Sequence, residues 1–160
     1  GSSWKSCDFE TDLCKVLPEF NLQPGWIRRN GQSGMGPPYS DHSGNESAYF
    51  LSLSSEMKSS SATLRTNVFL PTDEELLCQI RFHYWVSQKS GTLMVGLQKH
   101  SEDTVTNIWQ VSGELRNQWN VNTITINSME NYEVIFSGMV ETHRQGESVA
   151  IDDITFSEGC

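Results

Sequence analysis

The chain has 160 residues, 36% of them hydrophobic and 10% aromatic, and a formal net charge of −9. That composition calls for one packed domain rather than disorder. The acidity excludes nucleic acid as a partner and is compatible with cation binding. No apolar run approaches the roughly 20 residues that span a bilayer, so direct membrane insertion by this domain is excluded too.

The N-terminus lacks a basic-then-apolar leader, so the chain reads as a mature or excised piece, with residues 1–5 a linker or cloning remnant and 6–160 the domain. Cys7 and Cys14 bracket a group of acids, Asp8, Glu10 and Asp12. Between residues 18 and 48, Pro18, Pro24, Pro37, Pro38 and five glycines give loop chemistry, broken only by the short apolar segment around GWIRR. The same stretch holds Asp41, His42 and the sequon NES at Asn45–Ser47, which predicts an exposed, glycosylated loop.

From residue 48 the pattern becomes strand-like. AYFLSLS alternates, with Tyr49, Leu51 and Leu53 on one side. LLCQIRFHYWVS is the clearest strand. Its core face is Cys78, Ile80, Phe82, Tyr84 and Val86, and its other face includes Arg81, His83 and Trp85. TLMVGLQK, NIWQVSG, WNVNTITIN, YEVIFSGMV and VAIDDITF continue the series, and ELRNQW at 114–119 offers at most one helical turn. Short strands at roughly ten-residue spacing predict an all-β jelly-roll sandwich of two antiparallel sheets.

The last strand carries an anomaly. Asp152 and Asp153 interrupt an apolar run, although Asp is depleted in strands and an unpaired buried carboxylate is costly. Simple alternation sets Asp152 beside Ile154 and Phe156, and Asp153 beside Ile151. A cation would offset the burial of Asp152, with Asp153 taking its place if a bulge shifts the register. The competing reading has Asp152 accept backbone N–H groups while Asp153 faces water.

Four cysteines without a C-x-x-C pair suit disulfides better than zinc, and hence an oxidising compartment. Of the three pairings, spacing favours Cys7–Cys14 with Cys78–Cys160. Searches for catalytic chemistry return nothing: no G-x-S-x-G elbow, no H-E-x-x-H motif and no phosphate loop leading into a helix. His42, His83, His100 and His143 are dispersed. His83, on the polar side of its strand, reads as a solvated or cross-strand partner.

Taken in order, CDFETDLC, GWIRRNGQ, GPPYSDHSG, AYFLSLS, LLCQIRFHYWVS, YEVIFSGMV and VAIDDITFSEGC resemble the MAM domain, over about residues 6–160. The resemblance implies a jelly roll with the disulfides Cys7–Cys14 and Cys78–Cys160. It also implies a structural calcium ion near the termini, held by Glu10, Asp12, Asp41, Asp152 and Asp153. The implied role is that of a non-catalytic extracellular adhesion module of a secreted or membrane-anchored protein, with a protein partner. Homo-oligomerisation occurs in the family, and with no cysteine to spare it would not be disulfide-linked here. The alternative is a carbohydrate-binding jelly roll, for which Trp85, set opposite the core face, is the candidate contact; packing under a neighbouring loop is its other reading. Trp26 and Trp119 follow the apolar pattern and are expected in the core.

Overall fold

The computed structural model describes residues 5–10, 21–22, 26–54, 61–66, 68–87, 91–113, 117–141 and 146–160. The described elements are strands: β1 Lys5–Cys7, β2 Asn21–Leu22, β3 Ile27–Asn30, β4 Tyr49–Ser54, β5 Ser61–Arg65, β6 Cys78–Val86, β7 Thr92–Lys99, β8 Thr106–Ser112, β9 Asn120–Ile126, β10 Tyr132–Met139 and β11 Ser148–Phe156. They form two antiparallel sheets. The first runs β3-β4-β11-β6-β9, with β1 added to the far half of β11; the second runs β2-β5-β10-β7-β8. No helix occurs among the described residues; the predicted turn at 114–119 falls partly outside them, and His143 does so entirely.

The sheets face each other across a core that period-two alternation explains. From the first sheet come Leu51 and Leu53, Ile80, Phe82 and Tyr84, and Ile124 and Ile126; from the second come Leu64, Leu93, Val95, Val134 and Phe136. Phe82 sits at the centre, edge-on to Phe136 at 5.5 Å and to Trp109 at 5.2 Å. Trp26 is in the core as expected, and its indole ring fills the space that a side chain at Gly138 would need.

Strand β11 corrects the simple alternation. It pairs with β6 through Asp152↔His83 and then Thr155↔Arg81, so it advances three residues where its partner advances two. This β-bulge, with Asp153 at φ 51°, changes the strand's phase. Val149 and Ile151 point into the core before it, and Ile154 and Phe156 point into the core after it. Asp152 therefore does not share a face with Ile154 and Phe156. It lies on the outer face, opposite His83.

That outer face is itself covered. Phe50, Ser52, Ser54, Ser148, Ala150 and Asp152 are buried although they point away from the sandwich interior, because residues 31–47 lie across them. Ser54 Oγ donates to Met35 O, Ser148 Oγ to Pro37 O and Trp119 Nε1 to Ser40 O. Trp119 thus packs on the outer face, edge-on to Phe50 at 5.5 Å, and not in the core.

Cys78–Cys160 is a disulfide, closing the chain's end onto β6. Cys7 is not a free thiol; its expected partner Cys14 lies outside the described residues.

Candidate functional site

The covering loop is built around a buried cation. Arg29 is 4% exposed. Its Nη1 donates to Pro38 O (3.3 Å) and Ser33 Oγ (3.2 Å), and its Nη2 to Gly36 O (3.3 Å) and Pro37 O (3.0 Å). The guanidinium also lies over the Phe50 ring, 4.8 Å from its centroid. Three successive carbonyls, from Gly36, Pro37 and Pro38, thus converge on one group with donors to match. Burial lowers the Arg29 pKa to about 10, a range in which it remains charged at neutral pH. Gly31 closes the loop's base: a Cβ there would lie 1.9 Å from Tyr39 O.

The loop then turns at Asp41. Its Oδ1 accepts from Ser43 N (3.0 Å), Ser43 Oγ (2.7 Å) and Asn45 N (2.9 Å), an Asx-type turn. The turn leaves Asn45 exposed at its tip and directs His42 inward. The His42 ring nitrogen Nδ1 lies 2.6 Å from Asp152 Oδ2. The other Asp152 oxygen accepts from the N–H of Asp153 at 2.9 Å. His42 also stacks on His83, the residue paired with Asp152 across the sheet, with centroids 4.0 Å apart. Because of the bulge, Asp153 turns its carboxylate to the same side, 3.8 Å from His42 Nε2 and 3.9 Å from His83 Nδ1.

The electrostatics follow from burial. Asp152 is 1% exposed, and desolvation pushes its carboxyl up to about 6 against the hydrogen bond and charge of His42; nearby Asp41 adds to the rise. Burial, and then the charge of His42, hold the His83 imidazole below its ordinary value. His83 Nδ1 is buried without a hydrogen-bond partner.

The structure therefore brings together three of the five acids expected at a cation site, Asp41, Asp152 and Asp153, and adds His42 and His83. Two sets of potential ligand atoms lie within 4.8 Å of one another: Asp41, His42 and Asp152, and His42, His83 and Asp153. Glu10 belongs to neither set; its Oε1 accepts the Tyr49 N–H at 2.8 Å. Asp12 lies outside the described residues. The two histidines were in view in the sequence, but only the pairing of β6 with β11 shows that one of them faces Asp152.

Trp85 is half-buried and packs edge-on to Trp119, 6.2 Å away. Trp119 in turn donates its Nε1 to Ser40 O, and the Trp85 Nε1 is buried without a hydrogen-bond partner.

Comparison with known proteins places the chain in a family and among relatives of the same fold. The family model described as MAM domain, meprin/A5/mu, matches residues 7–160. MAM domain-containing glycosylphosphatidylinositol anchor protein 1 of Gallus gallus is 24% identical over 166 residues, which take in 96% of this chain and 17% of that protein. MAM domain-containing protein 2 of Homo sapiens is 24% identical over 155 residues, covering 96% of this chain and 22% of that protein. The chain thus spans only about a fifth of these relatives. Among solved structures, the K3 cleaved adhesin domain of Lys-gingipain from Porphyromonas gingivalis superposes with a TM-score of 0.57 at 16% identity, covering 95% of this chain and 97% of that one. TmCBM61, solved in complex with β-1,4-galactotriose, does so at 0.55 and 12%, covering 94% and 93%. At these identities the structural likenesses establish the fold alone.

Proposed function

The chain belongs to the MAM domain family, and from that premise we propose that it is a non-catalytic recognition module of an extracellular or cell-surface protein, with a protein as its partner. The names of its relatives, which include glycosylphosphatidylinositol anchor proteins, support the location. The single observation that carries a protein partner is a set of large apolar side chains left in water: Leu70 at 72%, Leu77 at 62% and Met129 at 90% exposure. The segments that bear them are tied together. Thr72 N donates to Ser128 O, and Ser157 Oγ to Leu77 O. Exposed apolar groups of this kind mark contact surfaces more often than isolated ones do. Trp85, the candidate sugar contact, packs against Trp119, which lies under the loop.

The test is a multimerised domain applied to cells and to a glycan array. Binding to cells that is removed by pretreating them with protease, and lost in a Leu70→Asp/Met129→Asp variant of unchanged melting temperature, is the expected result. Glycan binding lost in Trp85→Ala would overturn it in favour of a carbohydrate-binding module.

The proposal extends to calcium, with Asp41, Asp152 and Asp153 as ligands and Glu10 and Asp12 completing the oxygen set. What supports it is the buried Asp152, whose desolvation His42 only partly offsets; a cation supplies the missing positive charge. Calcium would have to draw Asp152 away from His42, so its binding is coupled to the covering loop. A melting temperature that is the same in excess calcium and in chelator counts against this site.

A further inference from the structure

His42 has the wiring of a metal-binding imidazole. Its Nδ1 lies 2.6 Å from Oδ2 of the buried Asp152. An ionised carboxylate only accepts, so Nδ1 carries the ring proton and Nε2 keeps its lone pair. A carboxylate behind one ring nitrogen fixes the tautomer and direction of a metal-bound histidine and raises its basicity. Asp152 is held in turn, because its Oδ1 accepts the Asp153 N–H at 2.9 Å.

The free Nε2 faces two more atoms of the kind that bind metals. It lies 3.8 Å from Asp153 Oδ2, and that oxygen lies 3.9 Å from His83 Nδ1. Both separations are too long for hydrogen bonds. One atom from each of His42, His83 and Asp153 lies within 4.8 Å of the other two. His83 Nδ1 is buried and has no hydrogen-bond partner, a cost that a bound ion removes. A tetrahedral zinc ion, with bonds of about 2.0–2.1 Å, sets its ligand atoms about 3.3 Å apart. Closing the two Asp153 gaps therefore takes about half an ångström each. The two imidazole rings stack at 28° to each other, and turning them further apart points both lone pairs at the ion. His42 and Asp153 are partly exposed, which gives the ion a way in and leaves its fourth position to a water.

We propose that His42 Nε2, His83 Nδ1 and the Asp153 carboxylate form a zinc site, with Asp152 as the positioning carboxylate behind His42. The chemistry of the ligands selects the metal. Calcium takes oxygens, whereas imidazole suits zinc, copper and nickel. Copper(II) and nickel(II) favour square-planar or tetragonal sets, while two histidines, one carboxylate and a water complete a tetrahedron for zinc. Zinc here leaves the His42–Asp152 bond in place, which calcium on Asp41, Asp152 and Asp153 has to break. Asp153 is common to both sets, so the two ions exclude each other. The zinc site does not rest on the calcium one, and His83, a ligand for zinc alone, tells their failures apart.

The experiment is isothermal titration of zinc chloride into the intact, calcium-free chain, with melting temperature in chelator as the control for folding. The wild type is expected to bind one zinc ion. His83→Gln removes a ligand outright and is expected to weaken binding about a hundredfold or more, with its response to calcium unchanged. Asp152→Asn keeps the shape but not the charge behind His42 and is expected to cost about tenfold to a hundredfold. His100→Gln, at an exposed histidine of another loop, is expected to change nothing. Cobalt gives a readout that needs no variant: bound to the wild type, it is expected to show the intense visible bands of a four-coordinate ion. A wild type that binds no zinc below millimolar concentration overturns the proposal. So does zinc binding indifferent to His83→Gln or lost in His100→Gln, or cobalt that shows only the weak bands of the hydrated ion.

Discussion

Replacing Asp152 by Asn removes the charge while keeping the shape of the protonated acid. The folded carboxyl titrates at about 6, above its ordinary 3.8. The folded state therefore holds this proton more tightly than the unfolded chain does. Asp152 favours folding most below the ordinary value, and that advantage drains away as the pH rises through about 6. The gap corresponds to about 3 kcal/mol once the group is fully ionised. Some of this is recovered by relaxation around the site, so Asp152→Asn is expected to stabilise the calcium-free protein by about 1–3 kcal/mol near pH 8. That is a rise of roughly 3–9 °C in melting temperature for a chain of this size. The difference should shrink to a fraction of that by about pH 4 and vanish below the ordinary value, where the carboxyl is protonated in the folded and the unfolded chain alike. Differential scanning calorimetry in chelator, repeated across that pH range, reads both the size and the trend. Excess calcium should then reverse the order, because only the wild type keeps the carboxylate ligand. If the variant melts below the wild type near pH 8 in chelator, the pairing with His42 outweighs desolvation and the reasoning fails.

Two further outcomes test the frame around the site. Arg29→Met keeps the apolar stem but leaves the Gly36, Pro37 and Pro38 carbonyls without their donor; a loss of about 2–4 kcal/mol in urea unfolding is expected, with new proteolytic cleavage between residues 31 and 47. A loss under about 0.5 kcal/mol would show that the loop is held by its other contacts. Replacing Cys78 and Cys160 together by Ser opens a loop of 82 residues; the chain-entropy model puts the cost at about 4.5 kcal/mol, and an unfolding midpoint that does not move would refute that assignment of its role.

Where alternation is continuous the fold was legible. Cys78, Ile80, Phe82, Tyr84 and Val86 mark one face of β6, and all five are buried. In β9, Ile124 and Ile126 are buried while Val121, Thr123 and Thr125 are exposed. The failures share one cause, which is that period-two reasoning sees only one buried face and one unbroken count. Both faces of β4 are buried because the loop just before it, residues 31–47, folds back over it, and nothing local in YFLSLS signals that. In the site, Asp152 and Asp153 stood out because carboxylates are out of place in a strand, and Asp41 was reached through the family resemblance. His42 and His83 did not stand out, since they are 41 positions apart in sequence and only strand pairing stacks them. Glu10 accepts the backbone N–H of Tyr49 at its Oε1, a long-range contact that nothing in CDFETDLC announces.

The bulge at Asp152 and Asp153 also makes the acid pair a matter of length. β11 seats its apolar residues on one parity before the pair and on the other after it, so the doublet holds one residue more than alternation needs. Shorten it by a residue and plain alternation would carry Ile154 and Phe156 inward with no bulge, and the site would lose one of its two carboxylates while the core kept its phase. The extra residue therefore serves the site and not the core: the bulge is what turns the Asp153 carboxylate to the side of His42 and His83.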